Sequence, residues 1–297
     1  DHNFGAVGTI WNYGTEKQRE QVLLAVARGN KLMSIAMTEP AAGSALTELT
    51  TSATRHGDEF ILSGTKRWIT GGGEREFLLV YARFDDVPGA NGIGAILINM
   101  DTSGFKTGNR IPSMGVRGVR ESYIHFEDMR IPADNLVVAP GTGFKYLMGA
   151  YNGQRVGAAA VSLGLAQGAL DYAVQFADKR QQFGKRITDF QAIQMKIATS
   201  AIDIDAARFL IYRAACTANQ SITDRILSSK AKAYAAEMAI RVTNEAIQIM
   251  GGDGYSRLHP VERMARDARA FTLAGGSIEM QRLAVAADVL GRSLPQT

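Results

Sequence analysis

The sequence predicts an α+β, multidomain chain with a small β-barrel domain between helical domains and a four-helix bundle at the C-terminus. Three observations predict it. Apolar residues recur every three or four positions over residues 1–34, contract to strand-length runs over 35–140, and return to the helical period over 141–297. These breaks mark a remnant of an N-terminal helical domain, a β-barrel domain and a C-terminal helical bundle domain. A length of 297 residues suits more than one core, because single cores stop growing near ~250–300 residues.

Each element has its own local signal. Thr15 is placed to cap a helix that carries Val22, Leu23, Val26 and Ala27 on one face. Phe60-Ile61-Leu62, the run from Phe77 to Tyr81 and the run from Ile93 to Ile98 have strand length and are bounded by Gly, Asp, Asn and Pro. His56-Gly57-Asp58 reads as a hairpin turn, and Ile124 and Phe126 alternate with Ser122, Tyr123 and His125. Beyond Gly143 the pattern is helical: Gln154–Lys179 repeats Val156, Leu163, Leu170 and Val174, and Ile193–Ala218, Ile226–Met250 and Ser277–Leu290 follow. Four long helices with short joints predict an up-down bundle.

Composition excludes several function classes. The net charge of +4 comes from Lys and Arg interleaved with Asp and Glu, which is not the massed footprint of a nucleic-acid binder. The longest charge-free apolar stretch of interest, Val156–Leu170, is shorter than a bilayer span and rich in Ala and Gly, so no membrane partner is expected. A single cysteine, Cys216, excludes an internal disulfide and fits a cytoplasmic setting. Asp1-His2-Asn3 opens no signal peptide, and the start without Met inside a helical pattern suggests that an N-terminal portion is missing. His2, His56, His125 and His259 lack metal-ligand spacing, and no Ser-His-Asp or Cys-His arrangement is evident.

Four motifs remain, each with a plain structural alternative. Met37-Thr38-Glu39-Pro40-Ala41-Ala42-Gly43-Ser44 offers hydroxyls and amides on a loop of small residues, or is merely an irregular entry to a sheet. In Lys66–Gly73, Trp68 could lie on a flat cofactor while Thr70 bonds its edge, or Trp68 is a core residue before a glycine turn. In Lys179–Ile187, Arg180 could pair with a pyrophosphate, or the cluster is a basic helix end stopped by Gly184. Gln248–Tyr255 could bring backbone close to a diphosphate through its glycines, but it follows a helix, which argues against a Rossmann site.

Taken in this order and spacing, Thr38-Glu39-Pro40…Gly43-Ser44, Trp68-Ile69-Thr70, Arg180-Gln181-Gln182-Phe183-Gly184, Gln248-Ile249-Met250-Gly251-Gly252 and Ser277…Gln281-Arg282 resemble the acyl-CoA dehydrogenase superfamily over nearly the whole chain. The resemblance implies the acyl-CoA dehydrogenase fold, with the N-terminal helical domain truncated, and FAD held between barrel and bundle. By position, Met37, Thr38, Gly43, Ser44, Trp68 and Thr70 would contact the flavin. Arg180, Gln182, Phe183, Gln248, Gly251 and Gly252 would meet the adenine-diphosphate half from a neighbouring subunit, with Ser277 and Glu279 near the diphosphate or ribityl end. A shared FAD implies an oligomer, usually a homotetramer. Arg155 matches an arginine that shapes the thioester side of the pocket, and the substrate would be a short acyl-CoA.

The same resemblance isolates the position that decides the chemistry. Relatives keep a glutamate as base either before the last helix, where this chain has Gly275, or beside an arginine on the first bundle helix, where it has Gln154. Neither residue accepts a proton at neutral pH. Losing a general base typically costs ~10²–10⁴ in rate. Two enzyme readings follow. The base lies on the missing segment, as in the cyclohexanecarboxyl-CoA and cyclohexenecarboxyl-CoA dehydrogenases that Asn152–Gly157 resembles, and electrons pass to an electron-transfer flavoprotein. Alternatively, no base is needed because the reaction is a desulfination, as in 3-sulfinopropionyl-CoA desulfinase, whose fold carries Gln at this point. Gln154 beside Arg155 favours the second. A non-catalytic flavin-binding scaffold is the third reading, and the retention of every cofactor motif speaks against it.

Overall fold

A computed structural model describes residues 4–218 and 223–294. The described residues form two compact units, one of residues up to 113 with 117–154, the other of 114–116, 155–218 and 223 onward.

The first unit opens with helices α1 (Phe4–Tyr13) and α2 (Glu16–Ala27). Thr15 starts α2 with a capping box: its hydroxyl accepts from Gln18 N at 3.2 Å, and the Gln18 side chain accepts from Thr15 N at 3.0 Å. The helical stretch ends at Ala27, short of the expected residue 34. Gly29 turns the chain at φ +71, and Met33–Ala36 gains more by pairing in parallel with Phe77–Val80.

Eight strands follow: β1 (Met33–Ala36), β2 (Ser52–His56), β3 (Glu59–Thr70), β4 (Phe77–Phe84), β5 (Ile93–Asn99), β6 (Phe105–Arg110), β7 (Glu121–Pro132) and β8 (Leu136–Val138). They form one sheet in the order β6-β7-β3-β2-β4-β5-β8, with β1 on β4. Most pairings are antiparallel, and the β2–β3 hairpin closes His56 on Glu59 across Gly57, which takes φ +62. The sheet curls so that alternate residues of its long strands, including Leu62, Val80, Ile96, Ile124 and Phe126, share one core. The other face of β4, with Phe77, Leu79 and Tyr81, packs on α1, α2 and the start of the next helix. Coverage on both faces explains why Phe77–Tyr81 reads as an unbroken apolar run rather than an alternation.

Helix α3 (Gly143–Lys179) runs through the unit boundary at Gln154 and Arg155. The second unit continues with α4 (Gln191–Cys216), α5 (Arg225–Met250), α6 (Gly252–Tyr255), α7 (Val261–Ala270) and α8 (Ile278–Val289). Alanines at 159, 166, 207, 214, 231, 235, 239 and 268 fill much of its core, so the helices approach closely and larger residues such as Leu163, Ile211 and Met238 fill the gaps. Helix α7 escaped the sequence pattern because only Val261 and Ala268 of its ten residues are buried. The basic stretch after α3 also differs from expectation. The helix stops at Lys179, where its apolar period ends, and the alternative of a helix end at Gly184 is replaced by a hairpin: β9 (Gln181–Gln182) pairs with β10 (Lys185–Arg186) across Phe183 and Gly184, at φ +50 and +77. Two successive positive φ values suit a tight hairpin, not a helix end. Among the described residues, no helix is long and apolar enough to cross a membrane.

Candidate active site

In the first unit, the loop Met37–Ser44 is anchored from beneath. Glu39 and Ala42 exchange backbone hydrogen bonds at 3.0 and 3.3 Å, which folds the loop into a tight turn. The Glu39 carboxylate, 4% exposed, accepts from Thr50 N at 2.7 Å, Thr50 Oγ1 at 2.8 Å, Thr51 N at 2.9 Å and Lys66 Nζ at 2.8 Å. Lys66, fully buried, also donates to Met37 O at 3.0 Å. Burial pushes the Glu39 pKa up, but the Lys66 ammonium and these hydrogen bonds outweigh it and hold the group at about 2. The pair therefore fixes Met37 and Thr38 from below while Gly43 and Ser44 stay exposed above. Gly43 has no positive φ, and a Cβ there would meet nothing within 4 Å. Its bare backbone faces open space that a ligand can approach.

Trp68 and Thr70 sit at the end of β3, where the β3–β7 register shifts between Lys66 and Ile69. Trp68 occupies the left-handed region at φ +59, uncommon for a bulky residue, and keeps its indole 44% exposed. The Arg67 guanidinium lies 5.3 Å from the Trp68 ring and 5.4 Å from the Tyr123 ring. The indole is thus not the core residue that one sequence alternative allowed. A flat ring held outward at a strained bulge fits a flat cofactor. Thr70 carries a second surprise: its hydroxyl donates at 2.7 Å to Glu121 Oε1, directly across the strand pair.

Gln154, on the part of α3 that belongs to the first unit, is 8% exposed, and its side-chain carbonyl accepts from Gly5 N at 3.1 Å. Gly5 permits this approach, since a Cβ there would come within 2.8 Å of the Tyr151 ring. The residue at this base position is therefore an amide with its oxygen already engaged.

In the second unit, the other base position lies in a turn that requires glycine. Gly275 and Gly276 take φ +77 and +86. A glutamate at 275 would meet left-handed strain as well as a buried lysine, because a Cβ there lies 3.8 Å from Lys232 Cε. Lys232 is fully buried and donates to Gly276 O at 2.5 Å. Burial pushes its pKa down, the Arg155 guanidinium pushes it further, and Glu279 partly opposes them, leaving it at about 8. Ser277 caps α8, accepting from Met280 N at 3.4 Å, and the exposed Glu279 stands in the first helical turn, its pKa lowered chiefly by its own amide and the Ser277 hydroxyl. Gly275, Ser277, Glu279 and Arg155 thus gather around Lys232.

The remaining residues are carried by another part of the same unit. One apolar cluster joins Phe176, Ile187, Ile249, Met250 and Val261, and so supports both the Arg180–Phe183 hairpin and the Gly251 corner. Arg180, Gln182, Gln248, Gly251 and Gly252 are exposed, and the Phe183 ring is 93% exposed. Gly251 ends α5 at φ +62, and neither Gly251 nor Gly252 has an atom within 4 Å of a built Cβ. The Phe183 ring meets Phe190 edge-on at 6.2 Å between centroids and otherwise stands exposed.

Sequence reasoning missed Lys66, Lys232 and Glu121. Lys66 and Glu39 lay inside two quoted motifs, but nothing local tells that charges 27 positions apart meet in the core. Lys232 sits in an alanine-rich helical run whose periodicity marks the position as inward, which was the available signal.

The middle-domain model of acyl-CoA dehydrogenases matches residues 34–129, and the C-terminal-domain model matches residues 141–290. The chain is 46% identical to a protein named 3-sulfinopropanoyl-CoA desulfinase from Cupriavidus necator, covering 99% of this chain and 76% of that protein. A protein of the same name from Paraburkholderia xenovorans is 45% identical over 100% of this chain and 76% of its own length. The solved butyryl-CoA dehydrogenase from Megasphaera elsdenii superposes with a TM-score of 0.93 at 38% identity, covering 96% of this chain and 74% of that one. The chain belongs to the acyl-CoA dehydrogenase family of flavin-dependent enzymes.

Proposed function

We propose that this protein binds FAD and a short acyl-CoA thioester and catalyses desulfination of 3-sulfinopropanoyl-CoA. The observation that carries this reading is the chemistry of the two base positions. Gln154 is a buried amide bonded to Gly5, and Gly275 is a left-handed glycine with Lys232 and Arg155 around it. Proton abstraction from an acyl-CoA needs a carboxylate or an equivalent base, and neither position offers one. The cationic setting of Gly275 suits an anionic substrate group. Relatives named as desulfinases, at 45–46% identity, point the same way.

The reaction balances without oxidant. The bond between the β-carbon and sulfur breaks, the carbon gains a proton from water, and sulfur takes the hydroxide, so propionyl-CoA and sulfite form from substrate and one water. FAD, when bound, supplies an electron-poor ring against the acyl chain. Met37, Thr38, Gly43, Ser44, Trp68 and Thr70 hold that ring. Arg180, Gln182, Phe183, Gln248, Gly251 and Gly252 hold the adenine-diphosphate half belonging to a neighbouring copy, with Ser277 and Glu279 toward the diphosphate or ribityl end. Gln154 and Arg155 face the thioester. A homotetramer provides the neighbours. This is supported by the outward Phe183 ring and by an exposed stripe of Met195, Ile202, Phe209 and Tyr212 along α4. The small-molecule chemistry suits a cytoplasmic enzyme.

The test is incubation of purified protein with 3-sulfinopropanoyl-CoA while sulfite and flavin colour are followed. Sulfite release with the yellow colour retained supports the proposal. Bleaching with electrons passed to an electron-transfer flavoprotein, and no sulfite, refutes it in favour of α,β-dehydrogenation.

A further inference from the structure

Glu121 is a half-buried acid for which the proposed reaction has no use. It opens β7 opposite Thr70, the last residue of β3. One carboxylate oxygen accepts the Thr70 hydroxyl at 2.7 Å, while the other is buried without a hydrogen-bond partner. Such an oxygen is costly to leave unsatisfied beside ordinary structure. The Thr70 backbone is anchored, since Ser34 Oγ donates to Thr70 O at 2.5 Å.

Among the described residues, no cation pairs with Glu121. Arg120, its chain neighbour, donates to Ser122 Oγ at 3.1 Å and pairs with Glu74 at 3.3 Å in the turn after β3. On β3, Lys66 is committed to Glu39, and Arg67 stacks over the Trp68 and Tyr123 rings. On β6, Arg110 donates to Arg117 O at 2.6 Å. Arg75 of the same turn lies against Gly71. Among the described residues, no ion pair includes Glu121. Burial accordingly raises its pKa to about 7, with the Thr70 hydrogen bond as the only opposing effect.

We propose that Glu121 and Thr70 form a proton-dependent hydrogen-bond switch that sets whether Thr70 offers the flavin edge an acceptor or a donor. With Glu121 ionised, the Thr70 proton is committed to the carboxylate, and the hydroxyl oxygen presents lone pairs to the ring. When Glu121 takes a proton from solvent, it donates to Thr70 Oγ1, and the Thr70 proton turns outward to the ring. The change falls in the physiological range because nothing cationic holds the carboxylate ionised. Glu121 is thus a positioning residue acting through Thr70. The inference rests on the reading that Thr70 contacts flavin.

The experiment uses full-length protein loaded with FAD, with the visible flavin spectrum and midpoint potential recorded from pH 5.5 to 9. The wild type is expected to show an inflection near pH 7 in both. Glu121→Gln and Thr70→Val should each abolish it, and Thr70→Ser, which keeps the hydroxyl, should restore it. A flavin-loaded wild type whose spectrum and potential show no such inflection overturns the switch alone, and this arm needs no variant. An inflection that survives Glu121→Gln does the same. Protein that cannot be loaded with FAD overturns the cofactor reading and the switch together.

Discussion

Exchanging Gln154 for glutamate places a carboxyl group on the same side-chain skeleton at a site 8% exposed to solvent. The hydrogen bond from Gly5 N, 3.1 Å long in the native protein, can be kept, because a carboxylate oxygen accepts as an amide oxygen does. Burial at this site pushes the new group's pKa up, while the Gly5 amide hydrogen bond, which favours the ionised form, opposes it. A carboxyl displaced toward neutrality is a good general base. Restoring such a base is worth ~10²–10⁴ in the rate of α-proton removal, or about 3–5 kcal/mol of barrier. Gln154→Glu should therefore gain reduction of a ferrocenium-type acceptor with a short acyl-CoA, at that order of magnitude over wild type, and keep its flavin. Sulfite release from 3-sulfinopropanoyl-CoA should fall, since an added negative charge repels the sulfinate. The gain should grow as pH rises through the shifted pKa, because only the ionised form abstracts a proton. A wild-type protein that already reduces the acceptor as fast as the variant would falsify the lost-base argument.

Further outcomes follow from the same geometry. Lys66→Met removes the ammonium from a buried pair and leaves Glu39 a buried carboxylate with only neutral donors, a change that costs about 3–5 kcal/mol; urea denaturation should report it, and flavin content should drop as Met37 and Thr38 lose their anchor. Arg180→Ala should strip FAD and loosen the oligomer during gel filtration, and an unchanged flavin-to-protein ratio would contradict the assignment. The raised pKa of Glu121 predicts that its own contribution to stability is full below about pH 4.5 and is lost as pH rises toward about 7, amounting to about 3 kcal/mol. Glu121→Gln should remove that decline, and parallel pH profiles of the two proteins in thermal denaturation would count against it. For Glu39 the sign reverses: its depressed pKa stabilises the fold above about pH 4.5, and that contribution is lost as pH falls toward about 2.

The sequence by itself determined the strands and helices whose burial follows their own period. The capping box at Thr15, the turn at Gly57 and the long helices α4 and α5 were legible because each depends on neighbours within about one turn. That positions 154 and 275 carry an amide and a glycine rather than a carboxylate was legible as well, since it is a matter of residue identity. Tertiary structure alone decided the hairpin at Phe183, where two left-handed residues replace an expected helix end, and the outward setting of Trp68 at a register shift. It also decided which partner each buried or half-buried charge meets. Lys66 with Glu39, Lys232 with Gly276 and Glu121 with Thr70 are 27, 44 and 51 positions apart in the chain. Their pKa values come from burial and from partners that only folding brings within hydrogen-bond distance, and local pattern carries no record of either.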